Sequence, residues 1–211
     1  MKKLLTILAL AGSVTLGYSQ GTVAFGSLNA AFAISTNNPN PGGTFGKTAT
    51  ASGGYYYALL TQTYTGAAST TIGTNPLNTW SFAATATNST ILAGAVSGGS
   101  PAIAGWVPGT TEYVEVVGWS ASLGTTWAQV LGELQSGTWS ANGYYGTSAV
   151  GYIASGGVVT GGQASPAAPL FTPTGIPSGF DLNYVTSVPE PTTVALIGLG
   201  GLGLAMIRRR K

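Results

Sequence analysis

The sequence predicts a mainly β protein: an antiparallel β-sandwich-like body with one short helix, followed by a single C-terminal transmembrane helix. Three observations predict it. Short runs rich in β-branched and aromatic side chains recur between glycine, proline and asparagine breakers. Only residues 126–137 combine helical periodicity with helix start and stop signals. Near the C-terminus, an uncharged run ends in a basic cluster.

In chain order, residues 1–19 read as a secretory signal peptide. Lys2 and Lys3 supply the positive start, an apolar stretch follows, and Gly17 and Ser19 place small residues at −3 and −1 of a cut before Gln20. The body spans 20–185, with no fixed-period repeat. Its predicted strands are 22–25, 31–35, 55–63, 80–87, 91–95, 113–119, 148–154 and 180–185. Residues 37–43, Asn75-Pro76 and 97–101 read as loops or turns. Thr126 and Gln129 fit a capping box, each side chain serving backbone groups left free at a helix start. Trp127, Val130, Leu131 and Leu134 then form one apolar face that can pack on a sheet, and the helix ends near Ser136-Gly137. Pro166, Pro169, Pro173 and Pro177 make 163–178 a surface-running connection without regular structure. Residues 185–188 are the tether to a tail, 186–211, whose transmembrane segment is 192–207.

Charge is confined to the ends. The formal net charge is +2, but the body carries only Lys47, Glu112, Glu115, Glu133 and Asp181. It is therefore slightly acidic and lacks the basic footprint that nucleic acid requires. Ordinary globular chains are about a quarter charged. Here glycine, serine, threonine and asparagine take the polar positions, a surface hydrated by hydroxyls and amides that suits a crowded extracellular setting.

The chain contains no histidine and no cysteine. A Ser-His-Asp triad, a Cys-His pair, disulfides and any zinc or iron site built on those ligands are excluded. Glycoside hydrolysis needs only two carboxylates. However, Glu112 and Glu115 differ by an odd number, which sends them to opposite faces of a strand, while Glu133 falls on the helix and Asp181 on the last strand. The acidic residues are not clustered for calcium, and neither Gly98-Gly99 nor Gly156-Gly157 is followed by the Lys-Ser/Thr of a phosphate loop. The expectation is a body without catalysis, cofactor or metal.

Aromatic residues offer one alternative, a carbohydrate-binding surface module. Tyr113, Glu115, Val117 and Trp119 share a strand face, and an exposed aromatic pair beside a carboxylate can stack on a sugar ring while accepting its hydroxyls. Tyr144, after the Asn142-Gly143 turn, joins Tyr113, Glu115 and Trp119 as a candidate sugar contact. Core packing of Tyr113 and Trp119 is the plainer expectation, because large aromatics dominate cores. Tyr55-Tyr56-Tyr57 places rings on both faces of its strand, and Asn88-Ser89-Thr90 reads as a polar turn.

The tail begins Val188-Pro189-Glu190-Pro191. Two prolines flanking a glutamate hold the backbone extended and deny it helical bonds, leaving a strip open to an enzyme cleft. Seventeen uncharged residues separate Glu190 from Arg208. As a helix they would span about 25 Å, slightly short of a ~30 Å hydrocarbon core, a deficit that snorkelling arginines and local thinning absorb. Arg208, Arg209 and Arg210, with Lys211, hold that end in the cytoplasm. Together these residues resemble the PEP-CTERM sorting tail of exported Gram-negative bacterial proteins, over about a ninth of the chain. The resemblance implies recognition by exosortase, a membrane-embedded processing enzyme, and delivery to the cell surface, envelope or exopolysaccharide matrix. The expected partners are the secretion translocon, signal peptidase, exosortase and the membrane, with exopolysaccharide added under the carbohydrate-binding alternative.

Overall fold

The computed structural model describes residues 20–39, 45–72, 79–158 and 163–188. In chain order the strands are β1 (Gly21–Ala24), β2 (Gly26–Ser27), β3 (Ser35–Asn37), β4 (Phe45–Lys47), β5 (Tyr55–Thr63), β6 (Ser81–Asn88), β7 (Val96–Ser97), β8 (Ala102–Ile103) and β9 (Thr111–Ser120). Then come β10 (Gly143–Thr147), β11 (Gly151–Ala154), β12 (Gly157–Val158), β13 (Ala164–Ser165), β14 (Ala168–Pro169) and β15 (Asp181–Val185). The helix α1 (Trp127–Ser136) and the 3-10 turns Ala30–Phe32 and Ala121–Leu123 complete the described elements.

One ten-stranded sheet dominates, in the order β2-β7-β6-β5-β9-β10-β15-β3-β4, with β11 also paired to β9. Its pairs are antiparallel except β15–β3, which is parallel. A small sheet, β14-β1-β8, and the pair β12-β13 stand apart from it. The protein is thus mainly β with one short helix, as expected, but a single large curled mixed sheet, a half-barrel, takes the place of the antiparallel sandwich.

The central strands explain the difference. β5 and β9 pair along nine residues, from Tyr55↔Ser120 to Thr63↔Glu112, and both are buried on two faces. Tyr57, Leu59, Val114 and Val116 enter one core with Val23 and Ile103 of the small sheet. Ala58, Leu60, Val117 and Trp119 enter a second core beneath α1. Strands covered on both sides read as continuous apolar runs rather than alternating ones, and each fully buried Leu or Val contributes about 1.5–3 kcal/mol. Gly118 lies where a Cβ would come within 2.9 Å of both Leu182 and Tyr57, so only glycine lets these layers approach.

Curling has local causes too. Between β5 and β6 the register passes from Leu59↔Ala84 to Leu60↔Phe82. The extra residue, Ala83, sharpens the twist and turns Phe82 to the helix side. The two ends of the sheet then meet in a ring of three backbone hydrogen bonds. Ile34 N–H donates to Gly94 O (2.8 Å), Gly94 N–H to Thr48 O (2.9 Å) and Thr48 N–H to Ile34 O (2.9 Å). Asn88 reinforces this seam: its amide donates to Ala49 O (2.8 Å) and Ala51 O (2.7 Å) and accepts from Tyr55 N–H (3.1 Å). The Asn88-Ser89-Thr90 turn is polar, as read, and its asparagine side chain is fully engaged.

Other expectations shift. Residues 31–35 and 91–95 are largely turns. The Ser89 hydroxyl accepts Ile91 and Leu92 N–H (3.1 and 3.3 Å), and the strands begin later, at Ser35 and Val96. The expected strand 148–154 is a strand only from Gly151, as β11; residues 148–150 form the break between β10 and β11, both on β9, with the Ser148 hydroxyl accepting Val116 N–H (2.9 Å) across it. The proline-bearing 163–178 does not merely run over the surface. It contains β13 and β14, and Leu170, Phe171 and Ile176 are buried in the first core. The helix matches its prediction in start, end and buried face: Trp127 and Val130 are buried, Gln129 Oε1 accepts Thr126 N–H (3.1 Å), and Gly137 closes it at φ +69°. Residues 1–19, Asn75-Pro76, residues 40–43 of the expected 37–43 loop, and the expected transmembrane segment 192–207 lie outside the described residues. Among the described residues no helix is long and apolar enough to cross a membrane.

Candidate functional site

On β9, side-chain alternation places Tyr113, Glu115, Val117 and Trp119 on one face, as the sequence indicated, but that face is covered. Trp119 is fully buried, lies nearly parallel to Tyr56 at 6.3 Å, meets Trp127 at 6.1 Å, and donates from its indole to Gly124 O (2.9 Å). No face of its ring is open to a sugar. Glu115 is fully buried as well. Its Oε2 accepts Ile72 N–H at 2.9 Å, while Oε1 has no hydrogen-bond partner. Burial pushes its carboxyl up to about 7, opposed by the bonds from Ile72 and Thr147. The buried Tyr145 hydroxyl, also without a partner, is pushed up by burial first and by Glu115 second. Glu112 points the other way, half-buried, with burial raising its carboxyl.

Tyr144 is half-buried. Its ring meets Tyr184 edge-on at 5.5 Å and its N–H donates to Ser120 Oγ (2.9 Å). The sequence-derived set therefore does not converge: Tyr113, Glu115 and Trp119 belong to the second core and Tyr144 to the neighbouring strand.

Two clefts are better placed for ligands. A polar one of about 600 Å³ is lined by hydroxyl and amide side chains including Gln62, Thr63 and Ser69, with Glu112 and Tyr113 at its wall. Beside it, Tyr64 packs on Tyr113 at 4.8 Å and on Tyr152 at 5.2 Å, and Tyr64 and Tyr152 are 38% and 44% exposed. An apolar groove of about 760 Å³ separates β6 from α1, between Tyr56, Trp80, Phe82 and Trp127. Neither was legible in the sequence. The groove exists because the bulge at Ala83 turns Phe82 toward the helix, and Tyr64 and Tyr152 lie 88 positions apart.

At the other end of the body the chain leaves β15 next to β10, where Val185 pairs with Gly143. Two more bonds follow. Ser187 N–H donates to Asn142 Oδ1 at 2.7 Å, and Val188 N–H to Trp139 O at 3.2 Å. Trp139 is itself held against Tyr145, ring centroids 5.1 Å apart. The expected tether, 185–188, is bonded to the body through its final residue.

A family model described as the PEP-CTERM protein-sorting motif matches residues 187–211, starting within this tied segment. The chain carries a PEP-CTERM sorting motif. Comparison with curated proteins and with solved structures finds no match in either. PEP-CTERM proteins are exported and anchored through this motif, and its presence implies processing by exosortase. Of the sorting residues, Val188 is described and is 51% exposed. Pro189, Glu190, Pro191, Arg208, Arg209 and Arg210 lie outside the described residues.

Proposed function

We propose that the chain is an exosortase-sorted surface protein of the envelope or exopolysaccharide matrix whose body performs no catalysis. The observation that carries this reading is the junction: a sorting motif follows directly on a packed domain that holds the chain up to Val188. The carboxylates support the second half of it. Glu112 edges a cleft, Glu115 is sealed in a core, Glu133 accepts Ser140 N–H (3.2 Å), and Asp181 is exposed on β15. No two of them face one site as paired acid and base.

Expression in matched hosts with and without exosortase, followed by fractionation and intact-mass measurement, tests the assignment. The expected product starts at Gln20 and loses mass near Pro189 only where exosortase is present. A full-length cytoplasmic protein in both hosts would overturn it. Hydrolysis of host polysaccharide by the purified body, lost on substituting Glu112 or Glu115, would overturn the non-catalytic half.

One observation favours a second reading, a carbohydrate-binding module: the exposed Tyr64–Tyr152 pair beside a hydroxyl-lined cleft. Such rings stack on sugar faces while neighbouring hydroxyls exchange hydrogen bonds. The body should then be retained on the producer's exopolysaccharide, with Tyr152→Ala weakening retention roughly 2- to 10-fold. Equal retention of the variant, or none by wild type, removes this reading.

A further inference from the structure

We infer that the body restrains its own sorting motif: Asn142 and the Trp139 carbonyl hold Ser187 and Val188 in a clamp that must open before exosortase processing. The inference rests on the sorting reading above and deepens it by naming residues that set the rate at which the motif is accepted.

The geometry is short-range and two-sided. Val185 is still in ladder with Gly143. Beyond it, Ser187 donates to the Asn142 side chain at 2.7 Å and Val188 to the Trp139 backbone at 3.2 Å, so the hold extends to the last described residue. Enzymes that take extended peptides bind them through main-chain hydrogen bonds on both sides of the recognised residues. Here the main-chain donors just upstream of Pro189 are already committed to the body. Proline has no N–H, so Pro189 and Pro191 cannot replace them.

Distance adds to the restraint. Only Pro189, Glu190 and Pro191 separate Val188 from the apolar run that begins at Thr192. Three residues reach at most about 10 Å, and a headgroup layer is itself roughly 5–7 Å deep. With the clamp shut, a contour of only three residues separates the held Val188 from the apolar run that a membrane-embedded enzyme would meet. Releasing Ser187 and Val188 moves the last held residue back to Val185 and raises the chain length before Thr192 from three residues to six, without disturbing the Val185–Gly143 pair.

The clamp is weak enough to open locally. Asn142 and Ser187 are exposed, and bonds at an exposed strand end fray well below the global unfolding free energy. When opening is fast relative to cutting, the processing rate follows the open population. Removing one net hydrogen bond raises that population about 2- to 10-fold.

The experiment follows processing of full-length chain by pulse-chase in an exosortase-bearing host. Asn142→Ala should be shortened about 2- to 10-fold faster than wild type. The double variant Asn142→Cys/Thr186→Cys places its thiols one step beyond the Gly143–Val185 pair, where antiparallel Cα atoms lie about 4.5–5.5 Å apart, within disulfide range. Oxidised, it should be processed several-fold more slowly than its reduced form, which lacks the Asn142 amide and should match Asn142→Ala. Unchanged melting temperature of Asn142→Ala separates clamp release from unfolding. Equal processing of wild type, Asn142→Ala and the oxidised double variant overturns the clamp alone. A wild-type chain that is never shortened overturns the sorting reading and the clamp with it.

Discussion

Glu115 shows what a single side chain contributes. It sits among Leu60, Val117 and Tyr145 with one carboxylate oxygen bonded to Ile72 N–H and the other orphaned. Burial pushes its carboxyl up to about 7 in the folded protein, against 4.5 for an ordinary glutamate. Between these values folded Glu115 binds more protons than in the unfolded chain, so its contribution to stability is full below about pH 4.5, is lost as pH rises toward about 7, and is level above. The full decline is on the order of 3 kcal/mol. Glu115→Gln removes it: urea midpoints measured from pH 5 to about pH 8 should fall for wild type and stay nearly flat for the variant. A parallel fall in both proteins would refute this account. The sequence placed residue 115 correctly relative to 113, 117 and 119. It could not say which face α1 would cover, because Ile72 and Trp127, which help close that side, lie 43 and 12 positions away.

At the level of elements, α1 was legible because its signals are local: a capping pair three residues apart, an i, i+3, i+4, i+7 face and a terminal glycine all fall within twelve residues. The seam of the curled sheet is the opposite case. It joins residues 34, 48 and 94, and its geometry depends on Gly94 at φ +79°. A Cβ there would meet Ala33 Cβ at 3.0 Å and Ile34 O at 3.1 Å. Gly94→Ala therefore combines left-handed strain with a contact that neighbouring backbone must relieve, at a cost of about 1–3 kcal/mol. The denaturant midpoint should drop with the slope of the transition unchanged; a midpoint within error of wild type would show that the seam does not bear on stability. Two-residue strands such as β7, β8 and β14 were missed for a related reason. They are too short for alternation to register, and they exist only because a partner strand offers its edge.

Taken as one object, the body departs from a sandwich because its central strands are buried twice over. Buried runs such as Ala58–Leu60 and Val114–Val117 are compatible with either architecture, and strand content alone does not reveal whether covering layers come from a second large sheet, a helix or proline-bearing loops. Here all three kinds of neighbour are small, and nine strands in path order curl into a half-barrel, as a large twisted sheet tends to do. The tail was the most legible part, since its signals are linear: a tripeptide, an uncharged span and a basic end. What the sequence could not convey is where β15 would insert. It lies inside the sheet, antiparallel to β10 on one side and parallel to β3 on the other. A tug on the C-terminus therefore runs along the axis of a strand gripped by both neighbours, and its cross-strand bonds resist sliding together instead of peeling apart in turn. A domain moored by that end is shaped to carry tension between a membrane and whatever holds its far side.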